Sequence, residues 1–117
     1  MPLLVAALLC AAPAVWAQPT KVGAQFKVNA CADCTHTLPA LAGTPSGRFL
    51  AVWEGSHTTD PRGILARFFE PNGAPKGADV VANARVVAPN QYDPAVAADP
   101  KGEYVVVWSS YAVDNDG

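Results

Sequence analysis

GRFLAVW at residues 47–53 and GEYVVVW at residues 102–108 are two versions of one segment, and this segment decides the fold. In each version a Gly leaves a turn, an aromatic residue follows two positions later, and a Trp closes an apolar run of β-favouring residues. The two segments lie 55 positions apart, as do Pro39 and Pro94, and Pro45 and Pro100. The sequence therefore predicts a repeat of about 55 residues built from β-strands.

The apolar and aromatic positions of these segments are the predicted core of each repeat. They are Phe49, Val52 and Trp53 in the first copy and Tyr104, Val107 and Trp108 in the second. Stacking of the two indoles on a sugar is an alternative, but an aromatic residue that recurs at one repeat position favours a core role. We therefore expect Trp53 and Trp108 to occupy like surroundings.

Further strands and turns are predicted around these two segments. Strands are predicted at residues 23–30, 39–42, 63–69, 77–84 and 94–97, and X-Pro-X-Gly turns at 44–47, 60–63, 70–73 and 99–102. In such a turn Pro presets φ at the second position and Gly adopts the left-handed conformation at the fourth. Turns of this kind join antiparallel neighbours through a bulge, and no helical period is evident after residue 17, so the predicted class is all-β.

Composition and the N-terminus predict an exported globular protein. The chain has 117 residues, 50% of them hydrophobic, and a formal net charge of −2 without a Lys/Arg cluster, which disfavours nucleic acid and anionic membrane as partners. Residues 1–17 are typical of a signal peptide, although they lack a basic start, and a buried first strand or helix is the alternative. The apolar run is shorter than the ~20 residues of a membrane span. Residues 18–76 would then form the first repeat and residues 77–117 a second, incomplete one.

Two cysteines follow the predicted leader. Cys31 and Cys34 are predicted to form a local disulfide, because exported proteins favour oxidised cysteines. A zinc site with His36 and His57, or a redox pair, is the alternative. A redox pair needs a following helix, which Pro39 would stop within a turn.

Acidic residues give weaker signals. Asp114 and Asp116 alternate before a terminal Gly as half of a calcium loop would, and a solvated turn is the alternative. Glu54, Asp60, Asp93 and His57 are the polar residues near strand ends that could pair as acid and base, and surface turns explain them better. No cofactor other than this weakly indicated calcium is predicted.

The motifs PAVA at residues 94–97, GEYVVVW at 102–108 and GILARFFEPNGAPKG at 63–77 together resemble the tandem repeats of large secreted bacterial proteins. The resemblance implies antiparallel four-stranded units that are propeller-blade-like, here one complete and one truncated. Repeat folds bury their faces against neighbours, so further repeats or self-association would be needed to close the fold.

The function that the sequence as a whole favours is a non-catalytic secreted, periplasmic or cell-surface module whose loops bind a carbohydrate or a protein. Two alternatives stay open. One is the N-terminal part of an extracellular propeller-type hydrolase, and the other is a calcium-stabilised structural repeat.

Overall fold

Six β-strands make up the part of the chain that the computed structural model describes, residues 23–58, 60–84 and 90–111. The strands are β1 (His36–Gly43), β2 (Phe49–His57), β3 (Asp60–Phe69), β4 (Pro75–Val81), β5 (Asn90–Ala98) and β6 (Tyr104–Tyr111). β1 to β4 form an antiparallel first sheet in chain order, and β5 and β6 form an antiparallel second sheet. None of the described residues is helical, which confirms the all-β class. Neither sheet closes on itself, and the described strands do not form a propeller.

Three of the four predicted turns form as hairpin turns. In the turn after β1, the Thr44 N–H donates to the Arg48 carbonyl (2.8 Å) and the Gly47 N–H donates to the Thr44 carbonyl (2.9 Å). The turns at residues 70–74 and 99–103 repeat this pair of bonds. Gly47 has a φ of +84° and Gly102 has a φ of +91°, in the left-handed region that a residue with a Cβ adopts only at a cost. The Pro-Gly chemistry of the sequence therefore fixes the three hairpin connections.

The fourth turn was predicted wrongly. Residues 60–63 lie inside β3, and the chain reverses just before them, where His57 pairs with Asp60. Pro61 lies in the register shift that follows this pair, between the His57 and Gly55 positions of β2. Because a bulge does not require every N–H to join the ladder, a Pro is tolerated at that position.

The two copies of the repeat share a backbone irregularity. The register of β1 against β2 shifts between Thr37 and Ala40, so that two residues of β1 oppose the single residue Trp53. The register of β5 against β6 shifts at the positions 55 residues later, opposite Trp108. Leu38 and Asp93 have φ values of +49° and +52° there, and they are the non-glycine residues with positive φ among those described. The correspondence between the two copies therefore includes a strained bulge opposite each Trp side chain.

The first sheet buries apolar residues on both of its faces. Because side chains alternate along a strand, neighbouring residues of β2 point to opposite sides. Ala51, Trp53, Leu65 and Phe69 form a buried cluster on one side, which we call the outer face, with Phe49 and Val81 packed against it. Leu50, Val52 and Ala66 form a second cluster on the other side, which we call the inner face. β2 is thus covered on both sides and is the centre of the core.

The second sheet covers the inner face of the first. Val96 of β5 and Tyr104 and Val106 of β6 pack against the cluster around Val52. The Tyr104 ring meets Phe68 of β3 edge to face, with 5.8 Å between ring centroids. Burial of this apolar surface holds the two sheets together.

Residues 24–29 do not form the strand that their alternation predicts. They lie instead against the outer face, where the Phe26 ring contacts Phe69 (5.7 Å between centroids) and Val28 packs against the buried cluster. The related residues 77–81 do belong to a strand, β4, in which Val80 and Val81 pair with Ala66 and Leu65 of β3. Alternation alone did not distinguish the two segments, because a strand also needs a neighbour with free hydrogen-bonding groups.

A largely buried ion pair attaches residues 28–30 to the first sheet. Arg67 Nε lies 3.5 Å from Asp79 Oδ1, and the two side chains are 14% and 8% exposed. Asp79 Oδ2 accepts the Ala30 N–H at 2.8 Å, and Arg67 Nη1 donates to the Val28 carbonyl at 3.0 Å. These bonds supply partners for backbone groups that no strand ladder satisfies.

The predicted core residues differ in their burial. Val52 and Trp53 are buried, and Phe49, Tyr104 and Trp108 are half-buried. Val107 is 57% exposed, so its prediction as a core residue is wrong in this structure. The reason is that Val52 faces the second sheet, whereas no described element covers the corresponding side of β6. Trp108 is less buried than Trp53 because β2 has β3 as a further neighbour, whereas β5 is the one strand that pairs with β6 among the described residues.

Substitution of Val52 and of Val107 by Ala provides a matched test of this packing. We expect Val52→Ala to lower the free energy of unfolding by about 2 kcal/mol, since it deletes two buried carbons and leaves a cavity. Val107→Ala should change it by less than about 0.5 kcal/mol. Urea unfolding at the lowest practical protein concentration measures both values. Equal losses would contradict the difference in burial.

The buried ion pair can be compared with an exposed one. We expect Asp79→Asn to cost about 2 kcal/mol, below the ~3–5 kcal/mol of a fully buried pair because Arg67 keeps two carbonyl acceptors. Glu70→Gln should cost under about 1 kcal/mol, since the partners Arg48 and Lys76 are well exposed. Thermal or urea unfolding of both variants checks the order. A larger loss for Glu70→Gln would show that the bonds from Arg67 and Asp79 to residues 28–30 contribute little to the free energy of unfolding.

Candidate binding site

A crevice of about 420 Å³ lies where turns of the two sheets meet. The turns at residues 44–47 and 70–73 close hairpins at the same end of the first sheet, and the turn at 99–102 of the second sheet lies beside them. The lining residues are Thr44, Ser46, Arg48, Phe49, Phe68, Phe69, Lys76, Lys101, Gly102 and Tyr104. The site therefore combines residues from both copies of the repeat.

Aromatic rings form the apolar wall of the crevice. Phe49 and Phe69 stack with 4.8 Å between centroids and 5° between ring planes. Phe68 and Tyr104 meet edge to face across the boundary between the sheets. The Phe68–Tyr104 contact also joins the two sheets, whereas the Phe49–Phe69 stack lies within the first sheet, so ring packing holds both parts of the wall in place.

Three cations and one carboxylate determine the charge of the crevice. Arg48 Nε donates to Glu70 Oε2 at 3.2 Å, and Lys76 Nζ lies 3.8 Å from Glu70 Oε1. Lys101 comes from the turn of the second sheet. Glu70 thus balances one of the three positive charges and holds two of the cationic side chains on one side. Three cations and no carboxylate are among the residues that line the crevice, in a chain whose formal net charge is −2.

The turn that bears Lys101 is held by Asp99. Asp99 Oδ1 accepts the backbone N–H groups of Lys101 and Glu103, both at 2.8 Å. An Asp at the first position of a Pro-containing turn commonly makes bonds of this kind. The carboxylate of Asp99 therefore positions the backbone of Lys101, and Asp99 does not line the crevice.

A second cavity, of about 570 Å³, lies on the outer face of the first sheet, and we call it the outer groove. Its lining is largely apolar and includes Phe26, Val28, Leu41, Ala51 and Trp53. Leu41 is 65% exposed and forms the rim toward β1. Trp53 is 3% exposed, which leaves no ring face free to stack on a sugar.

The two cysteines form the predicted disulfide. Cys31 and Cys34 are bonded, with 5.7 Å between their Cα atoms, a usual separation for a disulfide. The bond leaves no thiolate to bind a metal in this state. Among residues 23–58, 60–84 and 90–111, no group of three His, Cys, Asp or Glu side chains is placed to hold a metal ion.

Other predicted site residues are not brought together. Asp114 and Asp116 lie outside the described residues, so the calcium loop stays a prediction. Glu54 pairs with Thr37 of β1 and Asp93 forms the bulge of β5, on different sheets. No helix of the described residues has the length and apolar composition needed to cross a membrane.

The sequence analysis did not find the cationic residues of the crevice. A signal was nevertheless present: Arg48 follows Gly47, Lys101 precedes Gly102, and Lys76 comes soon after the turn at 70–73. Each cation thus lies beside one of the three turns that form. Antiparallel pairing alone places the first two turns at one end of a sheet, but the position of the third depends on how the sheets pack.

The fold and the crevice define an all-β protein of packed antiparallel sheets with a loop-end site formed by side chains of both sheets. Comparison of the chain with family models, with curated proteins and with solved structures found no match. The resemblance to secreted bacterial repeats therefore stays a prediction.

The disulfide gives a direct test of the N-terminal loop. We expect a reducing agent to lower the free energy of unfolding by about 2 kcal/mol, because the cross-link closes only a short loop in the unfolded chain. Urea unfolding with and without reductant measures the change. The double variant Cys31→Ser/Cys34→Ser should not respond to reductant. Free thiols at both Cys31 and Cys34 in the oxidised wild-type protein would contradict the assignment.

Proposed function

We propose that this protein is a non-catalytic module of propeller-blade-like β-repeats, secreted or displayed at the cell surface, that binds an acidic carbohydrate in the crevice between its sheets. The observation that carries the proposal is the combination of an aromatic wall with an excess of positive charge at one loop-bearing end. The proposal extends the function implied by the sequence, in which loops bind a carbohydrate or a protein.

The chemistry of the crevice fits a sugar that bears carboxylates. Aromatic rings such as Tyr104 offer an apolar surface to the C–H groups of a sugar ring. Arg48 presents a planar guanidinium suited to a carboxylate, and Lys101 adds a mobile point charge from the other sheet. A polymer with repeated acidic groups would engage both cations at once.

The crevice supports binding over hydrolysis. Hydrolysis of a glycosidic bond ordinarily needs two carboxyl groups placed on either side of that bond. No carboxylate is among the described residues that line the crevice. Glu70 is not a lining residue, and its carboxylate is engaged by both Arg48 and Lys76. An acidic protein segment is the other occupant that this charge pattern would accept.

Binding to polygalacturonate tests the proposal, with neutral dextran as the comparison polymer. We expect calorimetry to show binding of polygalacturonate only, and we expect added salt to weaken it. Lys101→Ala should weaken binding by about three- to tenfold, since it removes one charge contact of about 1 kcal/mol. Lys27→Ala is the matched control, because Lys27 is exposed and lies outside the crevice.

Three outcomes would overturn the carbohydrate proposal. One is equal binding of dextran and polygalacturonate, another is binding of neither polymer, and the third is the same affinity for Lys101→Ala and the wild-type protein. Binding of a poly-glutamate peptide without binding of polygalacturonate would replace the carbohydrate by a protein partner.

A further inference from the structure

The side of the second sheet that faces away from the first sheet is an exposed apolar surface. Val105 and Val107 of β6 are 64% and 57% exposed. They pair in register with Ala97 and Ala95 of β5, which are also exposed. The four side chains share one face of the hairpin, which we call the open face. A contiguous apolar surface of this kind often marks an interaction site.

The first copy of the repeat shows what covers this surface. The residues 55 positions earlier than Val105 and Val107 are Leu50 and Val52, which are 2% and 0% exposed. They are buried because a hairpin of the same repeat, β5 and β6, packs on the inner face. The open face therefore has the composition and register of a surface that another unit of this repeat covers.

A second apolar surface lies on the opposite side of the packed sheets. The outer groove is lined by Phe26, Ala51 and Trp53, with Leu41 exposed at its rim. The residue 55 positions after Leu41 is Val96, which packs against the inner face of the first sheet. Leu41 thus lies on the side of its hairpin that the second copy uses to contact its neighbour.

We propose that a second copy of this protein docks head to tail, with the open face of one molecule seated on the outer groove of the other. Within one chain, the face of the first sheet that bears Leu50 packs against the face of the second sheet that bears Val96. The contact between two molecules would repeat this arrangement. The two surfaces differ and lie on opposite sides of the two packed sheets, so the contact is heterologous and can repeat. This association goes beyond the proposed carbohydrate binding and uses a different surface from the crevice.

The segment at residues 24–29 determines how the second copy is seated. Phe26 and Val28 already cover the Phe69 side of the outer face, so the partner would contact the part toward β1. The side chains of Val105 and Val107 are short, which suits a groove whose floor is filled by Ala51 and Trp53. A head-to-tail contact then covers the exposed Leu41.

Sedimentation equilibrium of the purified protein, without carbohydrate, tests the association. We expect the average mass to rise with concentration beyond that of one chain. Val107→Glu and Leu41→Glu should each weaken the association at least about tenfold, because each places a charge in an apolar contact. Val80→Glu is the matched control, since Val80 is an exposed strand valine on the inner-face side of β4 and belongs to neither surface.

A mixture of the two variants identifies the geometry. Val107→Glu keeps an intact outer groove, and Leu41→Glu keeps an intact open face. We therefore expect the mixture to form a two-chain complex that neither variant forms alone. Circular dichroism and thermal melting establish that each variant is folded, and Leu41→Ser replaces Leu41→Glu if the latter is not.

Several results would overturn the proposal. A wild-type protein that stays monomeric at every accessible concentration would do so. Self-association of Leu41→Glu alone would instead indicate two open faces packed on each other, and an effect of Val80→Glu as large as that of Val107→Glu would show that the surfaces are not specific. Because carbohydrate is absent, none of these results depends on the crevice.

Discussion

Burial of β2 between two layers is the constraint on which the rest of the structure depends. A four-stranded sheet with one exposed apolar face would be marginal, and here the second sheet covers Leu50 and Val52 while residues 24–29 lie over the opposite face. The two coverings differ in kind. One is a hairpin of the same repeat held by apolar contacts, and the other is an irregular segment held by Arg67 and Asp79.

The bulge opposite each Trp shows how closely the two copies correspond. A Leu at positive φ is strained, and Leu38 persists in that conformation because β1 pairs with β2 on both sides of the bulge. Asp93 tolerates the same φ more easily, since a short polar side chain suits the left-handed region. The shared backbone shape, rather than the residue type, is what the repeat preserves at this position.

The crevice follows from the same sheet packing. Phe68 and Tyr104 belong to different sheets, so their contact exists only when the second hairpin lies on the inner face. That packing also brings Lys101 to the end of the first sheet that bears Arg48 and Lys76. A site formed between two sheets in this way is rigid where its rings interlock and adaptable where its long cationic side chains reach solvent.

The amino-acid sequence by itself determined the strands, three of the hairpin turns and the short disulfide, because these depend on local chemistry: alternation, Pro-Gly turns and closely spaced cysteines. It did not separate residues 24–29 from a true strand, and it treated Val52 and Val107 alike. Only the tertiary structure decided these points, since burial depends on which element packs against a face and not on the residue that the face presents. The grouping of Arg48, Lys76 and Lys101 was decided in the same way, by the packing of one sheet on another.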